Sequence, residues 1–188
     1  MSTARKTFTL VELLVVIAII AILAGLLLPA LSSASQHAKR TKALTEMKLL
    51  QTAIAMYESD YGVLPWSGGK DQVLVDDNDY EKLICYLQNR DPGDPENGTN
   101  PGNPRNKRYL DISTDQGPGV FNDPWHTESK PQRYQIALDL DYDGEIDPHP
   151  TLSGGPYEKV YGRVAVWSLG KDRKNDLGAD GDINSWRQ

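Results

Sequence analysis

Cysteine is almost missing from this sequence. Cys85 is the one thiol in 188 residues, so no disulfide can close within the chain. It lies in YEKLICYLQ, an apolar-periodic stretch, and reads as a small buried core residue. Histidine is scarce too, with only His37, His126 and His149. None falls in an HExxH or CxxC-type arrangement, and there is no G-x-S-x-G and no Gly-rich phosphate loop. The sequence thus offers no motif for nucleophilic, zinc or phosphate chemistry, and an enzyme is not expected. Positive charge is also short: 20 Lys/Arg stand against 26 Asp/Glu, a net of −6. The imbalance is local. Residues 1–60 carry a net of +2 and residues 61–188 a net of −8. Phosphate repels such a surface, so no nucleic-acid partner is expected.

What the sequence does have is one long apolar run. From Leu10 to Leu28 every residue except Glu12 is apolar or Gly. Phe8 to Leu31 covers 24 residues. As a helix that is about 36 Å, against a hydrocarbon core of about 30 Å, so it is long enough to cross a bilayer. A cleaved secretory signal has a shorter apolar core. Here the helical pattern continues instead. Ala34 to Tyr61 holds no Gly or Pro, and Ala43, Met47, Leu50, Ile54, Tyr57 and Tyr61 recur at steps of three and four. Tyr61-Gly62-Val63-Leu64-Pro65 then supplies a stop. The pattern predicts one helix of about 50 residues, apolar all round in its first half and one-sided in its second. Pro29 falls at the junction and is expected to kink or loosen it. Glu12 admits two readings: an acid snorkelling to the interface, or one half of a charge pair. The second reading rests on the roughly 2.5–3.5 kcal/mol that a lone charge costs at the bilayer centre, and on this ground alone both stay open.

Beyond Pro65 the chain is rich in turn residues. Asp91 to Pro104 holds four Pro and three Gly and reads as an exposed loop. Asp79 to Gln88 has helical spacing in Leu83, Ile84 and Leu87. Two segments read as strands: Arg133–Leu140, where Tyr134, Ile136, Leu138 and Leu140 alternate with Gln135, Ala137 and Asp139, and Val160–Ser168. Lys107–Ile112 is a third candidate. The expected fold class is α+β, with a small antiparallel sheet packed on the amphipathic half of the long helix.

Two acidic loops stand out. DLDYDGEID, residues 139–147, follows the first nine positions of an EF-hand-type loop. Asp139, Asp141 and Asp143 alternate, Gly144 turns the chain, Glu145 offers a backbone carbonyl, and Asp147 follows. The twelfth position is Pro150, so the usual bidentate acid is missing. Hard oxygen ligands at this density suit Ca²⁺ better than Zn²⁺. The alternative is a solvated hairpin end. The second loop carries Asp172, Asp176, Asp180 and Asp182, with an exposed polar tail as its bland reading.

The segment FTLVELLVVIAIIAILAGLLLPAL resembles the N-terminal signature of type IV pilins and type II secretion pseudopilins. Shared features are the short basic leader, Phe8, Glu12 four residues later, and Pro29 near the membrane exit. AMYESDYGVLP (55–65), FNDPWHTESKPQRYQI (121–136) and VAVWSLGKDRKNDLGADGDINSW (164–186) are similar to segments of the major pseudopilin of type II secretion. The resemblance implies a leader over 1–7, a membrane and polymerisation segment over 8–31, the amphipathic half of the helix over 32–64, and a globular domain over 65–188. Residues 66–120, unmatched, would be an insertion. It further implies cleavage between Thr7 and Phe8 by a prepilin peptidase and N-methylation of Phe8. Glu12 would pair with the Phe8 amine of a neighbouring subunit in a homopolymer raised by an inner-membrane assembly platform. The globular domain would be periplasmic. A structural calcium would sit in the terminal loop on Leu169 (backbone oxygen), Asp172, Asp180 and Asp182. Thr7 departs from the family, which has Gly or sometimes Ala there. Two other readings follow: a type IV pilin for adhesion, motility or DNA uptake, and a membrane-anchored calcium-binding protein that never polymerises.

Overall fold

In the computed structural model the helical pattern becomes a single helix, α1 (Leu10–Tyr61), 52 residues long and assigned without a break through Pro29. The structure describes residues 10–66, 72–74, 77–90, 102–111, 119–146, 159–174 and 182–186. The chain divides into two compact units, Met1–Lys39 and Arg40–Gln188. In the first, all of residues 10–31 are exposed, including an unbroken apolar surface from Leu13 to Leu28. In the second, five of the six expected stripe positions, Ala43, Met47, Leu50, Ile54 and Tyr57, are buried and face the core together with Ala53, while Tyr61 is half-buried. The helix ends where the sequence placed its stop, and the Gly62 N–H closes the last turn by donating to the Glu58 carbonyl at 2.7 Å.

The core of the second unit lies between this stripe and a four-stranded antiparallel sheet. Its strands are β1 (Gln72–Leu74), β2 (Gln135–Leu138), β5 (Val164–Ser168) and β6 (Ile183–Asn184), in that spatial order. In register, Ile136 faces Val166, and Trp167 faces Asn184. Tyr134, Ile136, Leu138 and Val166 point toward α1. Gln51 of α1 ties helix to sheet, donating to the Val164 carbonyl at 3.0 Å and to Ser185 Oγ at 2.9 Å. The Tyr134 hydroxyl, also buried, donates to Glu46 of α1 at 2.6 Å.

The other sheet face is covered as well. A two-stranded ribbon, β3 (Glu145–Ile146) with β4 (Val160–Tyr161), lays Ile146 and Val160 against Ala137, Ala165 and Trp167. The single strand expected over Val160–Ser168 is therefore two strands in two sheets, broken at Gly162-Arg163. The break lets Arg163 turn toward Asp139, whose N–H donates to the Arg163 carbonyl at 3.1 Å.

Lys107–Asp111 forms no strand, correcting that expectation; Ile112 lies outside the described residues. Instead this segment closes the end of α2 (Asp77–Gln88). The Tyr109 and Leu110 N–H groups both donate to the Leu87 carbonyl, at 2.8 and 2.9 Å. A helix end leaves such carbonyls without intrahelical partners, and two N–H groups from one passing segment satisfy it. α2 itself buries Tyr80, Leu83, Ile84 and Leu87. Asn103, in the described end of the expected 91–104 loop, is fully buried. It donates to the Tyr86 and Lys107 carbonyls and accepts from the Tyr61 hydroxyl at 2.7 Å. The described part of 66–120 thus supplies core residues.

Candidate functional site

Three regions carry the expected functional residues. In the first, Glu12 lies in the first turn of α1. An acid there suits the positive end of the helix dipole. It is exposed, as are its apolar neighbours Leu13 to Val16. Pro29 is inside the same helix. Thr7 and Phe8 lie outside the described residues. Of the expected processing and assembly set, the structure therefore places Glu12 and Pro29.

The second region is the acidic turn between β2 and β3. Here three of the five expected residues converge. Asp139, Asp141 and Asp143 each bring a carboxylate oxygen within 4.8 Å of the others. Local geometry explains the convergence. Asp141 Oδ1 accepts from the Asp143 N–H at 3.3 Å, and Asp143 Oδ1 from the Glu145 N–H at 2.8 Å, which curls the backbone twice in succession. Gly144 has φ 87°, a conformation glycine adopts without steric cost, and its N–H donates to Asp139 Oδ2 at 3.1 Å. Tyr142 is also left-handed, at φ 63°. The Glu145 side chain is turned aside to an ion pair with Lys159. Asp147 lies outside the described residues.

Asp139 is fully buried, while Asp141 and Asp143 are exposed. Its Oδ2 accepts from Gly144 at 3.1 Å and from Arg163 Nη1 at 3.2 Å; its Oδ1 has no hydrogen-bond partner among the described residues. Arg163 stacks on the Tyr142 ring, 4.5 Å from the centroid, and pairs with Glu58 of α1 at 3.7 Å. The Tyr142 hydroxyl accepts from the Leu64 N–H at 2.8 Å. Arg163 and Lys159 had no role in the sequence reading. They are the only Lys or Arg between Asp139 and Ser168, which is the one signal that could have marked them.

The third region is the terminal loop. Ser168 ends β5, Leu169 is half-buried against the apolar cluster under the β3–β4 ribbon, and Asp182 is buried beside β6. Asp172 is exposed and accepts from the Lys174 N–H at 3.2 Å. Asp180 lies outside the described residues, so the expected four-residue set is not assembled among those described. What is visible is how this loop starts on the turn around Asp123-Pro124-Trp125. The Asp123 carboxylate accepts from Ser168 Oγ and from the Trp125 N–H. Gln132 donates to the Gly170 carbonyl at 3.0 Å, and Arg173 donates to the Trp125 and Lys130 carbonyls. Burial pushes the Asp123 carboxyl above the ordinary carboxylate value, partly offset by the Ser168 and Trp125 hydrogen bonds. His126 serves this turn as well, its Nδ1 accepting from the Gln132 N–H at 3.1 Å.

Comparison with known proteins bears on all three regions. A family described as the prokaryotic N-terminal methylation motif matches residues 5–28, which include Thr7, Phe8 and Glu12. Type II secretion system core protein G of Vibrio cholerae is 32% identical over 180 residues, 95% of this chain and 90% of its own length. Its counterpart in Aeromonas hydrophila is 26% identical over 182 residues, 97% of this chain and 92% of its own. Type IV major pilin protein PilE of Neisseria gonorrhoeae is 37% identical, but over 65 residues, 35% of this chain and 39% of its own. No solved structure matches the chain.

Proposed function

The chain belongs to the family of type II secretion system core protein G, and from that premise we propose that it is a pseudopilin, a structural subunit of the pseudopilus that helps export folded proteins. The observation that carries this reading is the 32% identity sustained over 90% of the Vibrio cholerae protein. The exposed apolar half of α1 supports it, being long enough to anchor the subunit in a membrane before assembly.

Within the same reading, a prepilin peptidase cuts between Thr7 and Phe8, and the new Phe8 amine is methylated. Glu12 then pairs with that amine on a neighbouring subunit. Two charges that are costly apart in an apolar surround neutralise each other, and only the correct stagger brings them together. The subunit starts in the bacterial inner membrane, is raised by an assembly platform there, and holds its globular unit in the periplasm. A calcium ion on Leu169, Asp172, Asp180 and Asp182 would order the terminal loop. The burial of Asp182 fits that role, since a buried carboxylate is less costly beside a cation.

Mass spectrometry of the protein extracted from membranes tests the processing step. The expected N-terminal peptide begins at methylated Phe8; a peptide beginning at Met1 or Ser2 alone refutes it. Cysteine pairs placed along α1 test assembly in cells: a pseudopilin gives ladders of cross-linked subunits, and a lone anchored domain gives none. Glu12→Gln should thin the ladder at least tenfold while leaving the amount of membrane-bound protein unchanged. The PilE match favours a second reading, a type IV pilin. Deleting the gene separates the two, since loss of a secreted protein from the medium marks the pseudopilin and loss of surface fibres marks the pilin.

A further inference from the structure

We propose that the turn Asp139–Glu145 is a second calcium site, separate from the terminal loop, and that the ion it takes fastens the end of α1 to the sheet. The proposal stands whether or not the subunit polymerises. Its first support is convergence: three carboxylates meet within 4.8 Å. Its second support is independent of that clustering. Asp139 is fully buried, yet among the described residues its Oδ1 has no hydrogen-bond partner. A charged oxygen withdrawn from water is costly unless something positive meets it. Arg163 meets only the other oxygen, Oδ2.

The charge balance points the same way. Among the described residues, Asp139, Asp141, Asp143 and Glu145 are opposed by Arg163, which meets Asp139 Oδ2 and is shared with Glu58, and by Lys159, which meets Glu145. About two negative charges are left for a divalent cation to neutralise. Asp141 and Asp143 each use Oδ1 to accept a backbone N–H, and each has a second oxygen to offer. Glu145, its side chain held by Lys159, would contribute only its main-chain oxygen. Three carboxylates, one carbonyl and water make a flexible all-oxygen shell, which suits Ca²⁺. Mg²⁺ demands stricter octahedral geometry and gives up its water reluctantly.

The consequence for α1 follows from Tyr142, which sits between two of the ligands. Its hydroxyl holds the Leu64 N–H just past the helix end, and its ring supports Arg163, which reaches Glu58. An ion that fixes Asp141 and Asp143 therefore fixes Tyr142, and through it the last turn of α1.

The test uses the full-length chain in detergent, stripped with EGTA and titrated calorimetrically with CaCl₂ and, separately, MgCl₂. The critical variant is Asp141→Asn with Asp143→Asn. Asparagine keeps the oxygen that accepts each turn hydrogen bond, both positions are exposed, and an unchanged circular dichroism spectrum in EGTA verifies the fold. Wild type should bind Ca²⁺, and the double variant should lose one site or at least tenfold of its affinity. Asp172→Asn with Asp182→Asn, which addresses the terminal loop, should leave that site intact. Calcium should also slow amide exchange over Glu58–Leu64 in wild type and not in the Asp141/Asp143 variant. Unchanged Ca²⁺ titration of that variant overturns the site. Equal affinity for Mg²⁺ overturns the choice of ion, and calcium-insensitive exchange at Glu58–Leu64 overturns the link to the helix.

Discussion

Asp60 sits in the last turn of α1, where the helix dipole disfavours an acid and where the helix itself supplies no basic residue. The correction comes from the 102–111 segment. Lys107 Nζ and the Tyr109 hydroxyl donate to Asp60 Oδ2 at 2.6 and 2.8 Å, and Arg105 stands 3.9 Å from Oδ1. The Lys107 hydrogen bond, then that of Tyr109, hold the Asp60 carboxyl below its usual 3.8. Its contribution to stability is therefore complete above pH 3.8 and lost as pH falls through the lowered value. Asp123 has the opposite sign: burial raises it, so its contribution is complete below 3.8 and lost as pH rises through the raised value. Urea unfolding across an acid pH series should separate them. The stability gap between wild type and Asp60→Asn should shrink on acidification, and the gap between wild type and Asp123→Asn should shrink on the way back to neutral. The pairings of Asp60 with Lys107 and of Asp123 with Ser168 were not legible in the sequence, because each joins residues more than forty positions apart. The carboxylates of the 139–143 turn were legible, because their spacing in one short loop is itself the geometry.

Elements were read best where one face is wet. The expected positions from Ala43 to Tyr57 are all buried, with Ala53 added to them, and the last of the stripe, Tyr61, is half-buried. Strand β2 was harder. Its Tyr134–Leu140 alternation showed the face toward α1, but Ala137 looked outward-facing and is fully buried under the β3–β4 ribbon. A sheet covered on both faces loses the polar half of its alternation, so the second layer left no periodic trace. Gly162 in the middle of a β-rich run was the one local warning that the strand would split. Edge strands β1 and β6 are two or three residues long, below the length at which a pattern repeats. Close packing of α2 yields a further prediction. A Cβ on Gly119 would lie 2.6 Å from Glu81 Cγ and 2.9 Å from Cys85 Sγ, at a φ of 74° that other residues rarely adopt. Gly119→Ala should destabilise the fold by about 1–3 kcal/mol, through overpacking and backbone strain, measured as a lowered urea midpoint with an unchanged slope.

For the whole molecule, the uneven charge of the chain has a direct consequence. The net of −8 over residues 61–188 predicts that the full-length protein in detergent does not retard duplex DNA in a gel at physiological salt. Retardation would favour the DNA-uptake alternative. Charge balance was readable by counting; the division of the long helix between two compact units at Lys39–Arg40 was not, since the helix itself runs across it. The apolar half of that helix, exposed from Leu10 to Leu31, has a consequence for growth. Hydrocarbon tails are as apolar as leucine, so a subunit leaving the bilayer for a bundle of like helices exchanges one oily solvent for another. The transfer releases almost no hydrophobic free energy. The bilayer acts as a reservoir at nearly equal potential, and elongation must draw its direction from shape, polar pairing and work done from outside.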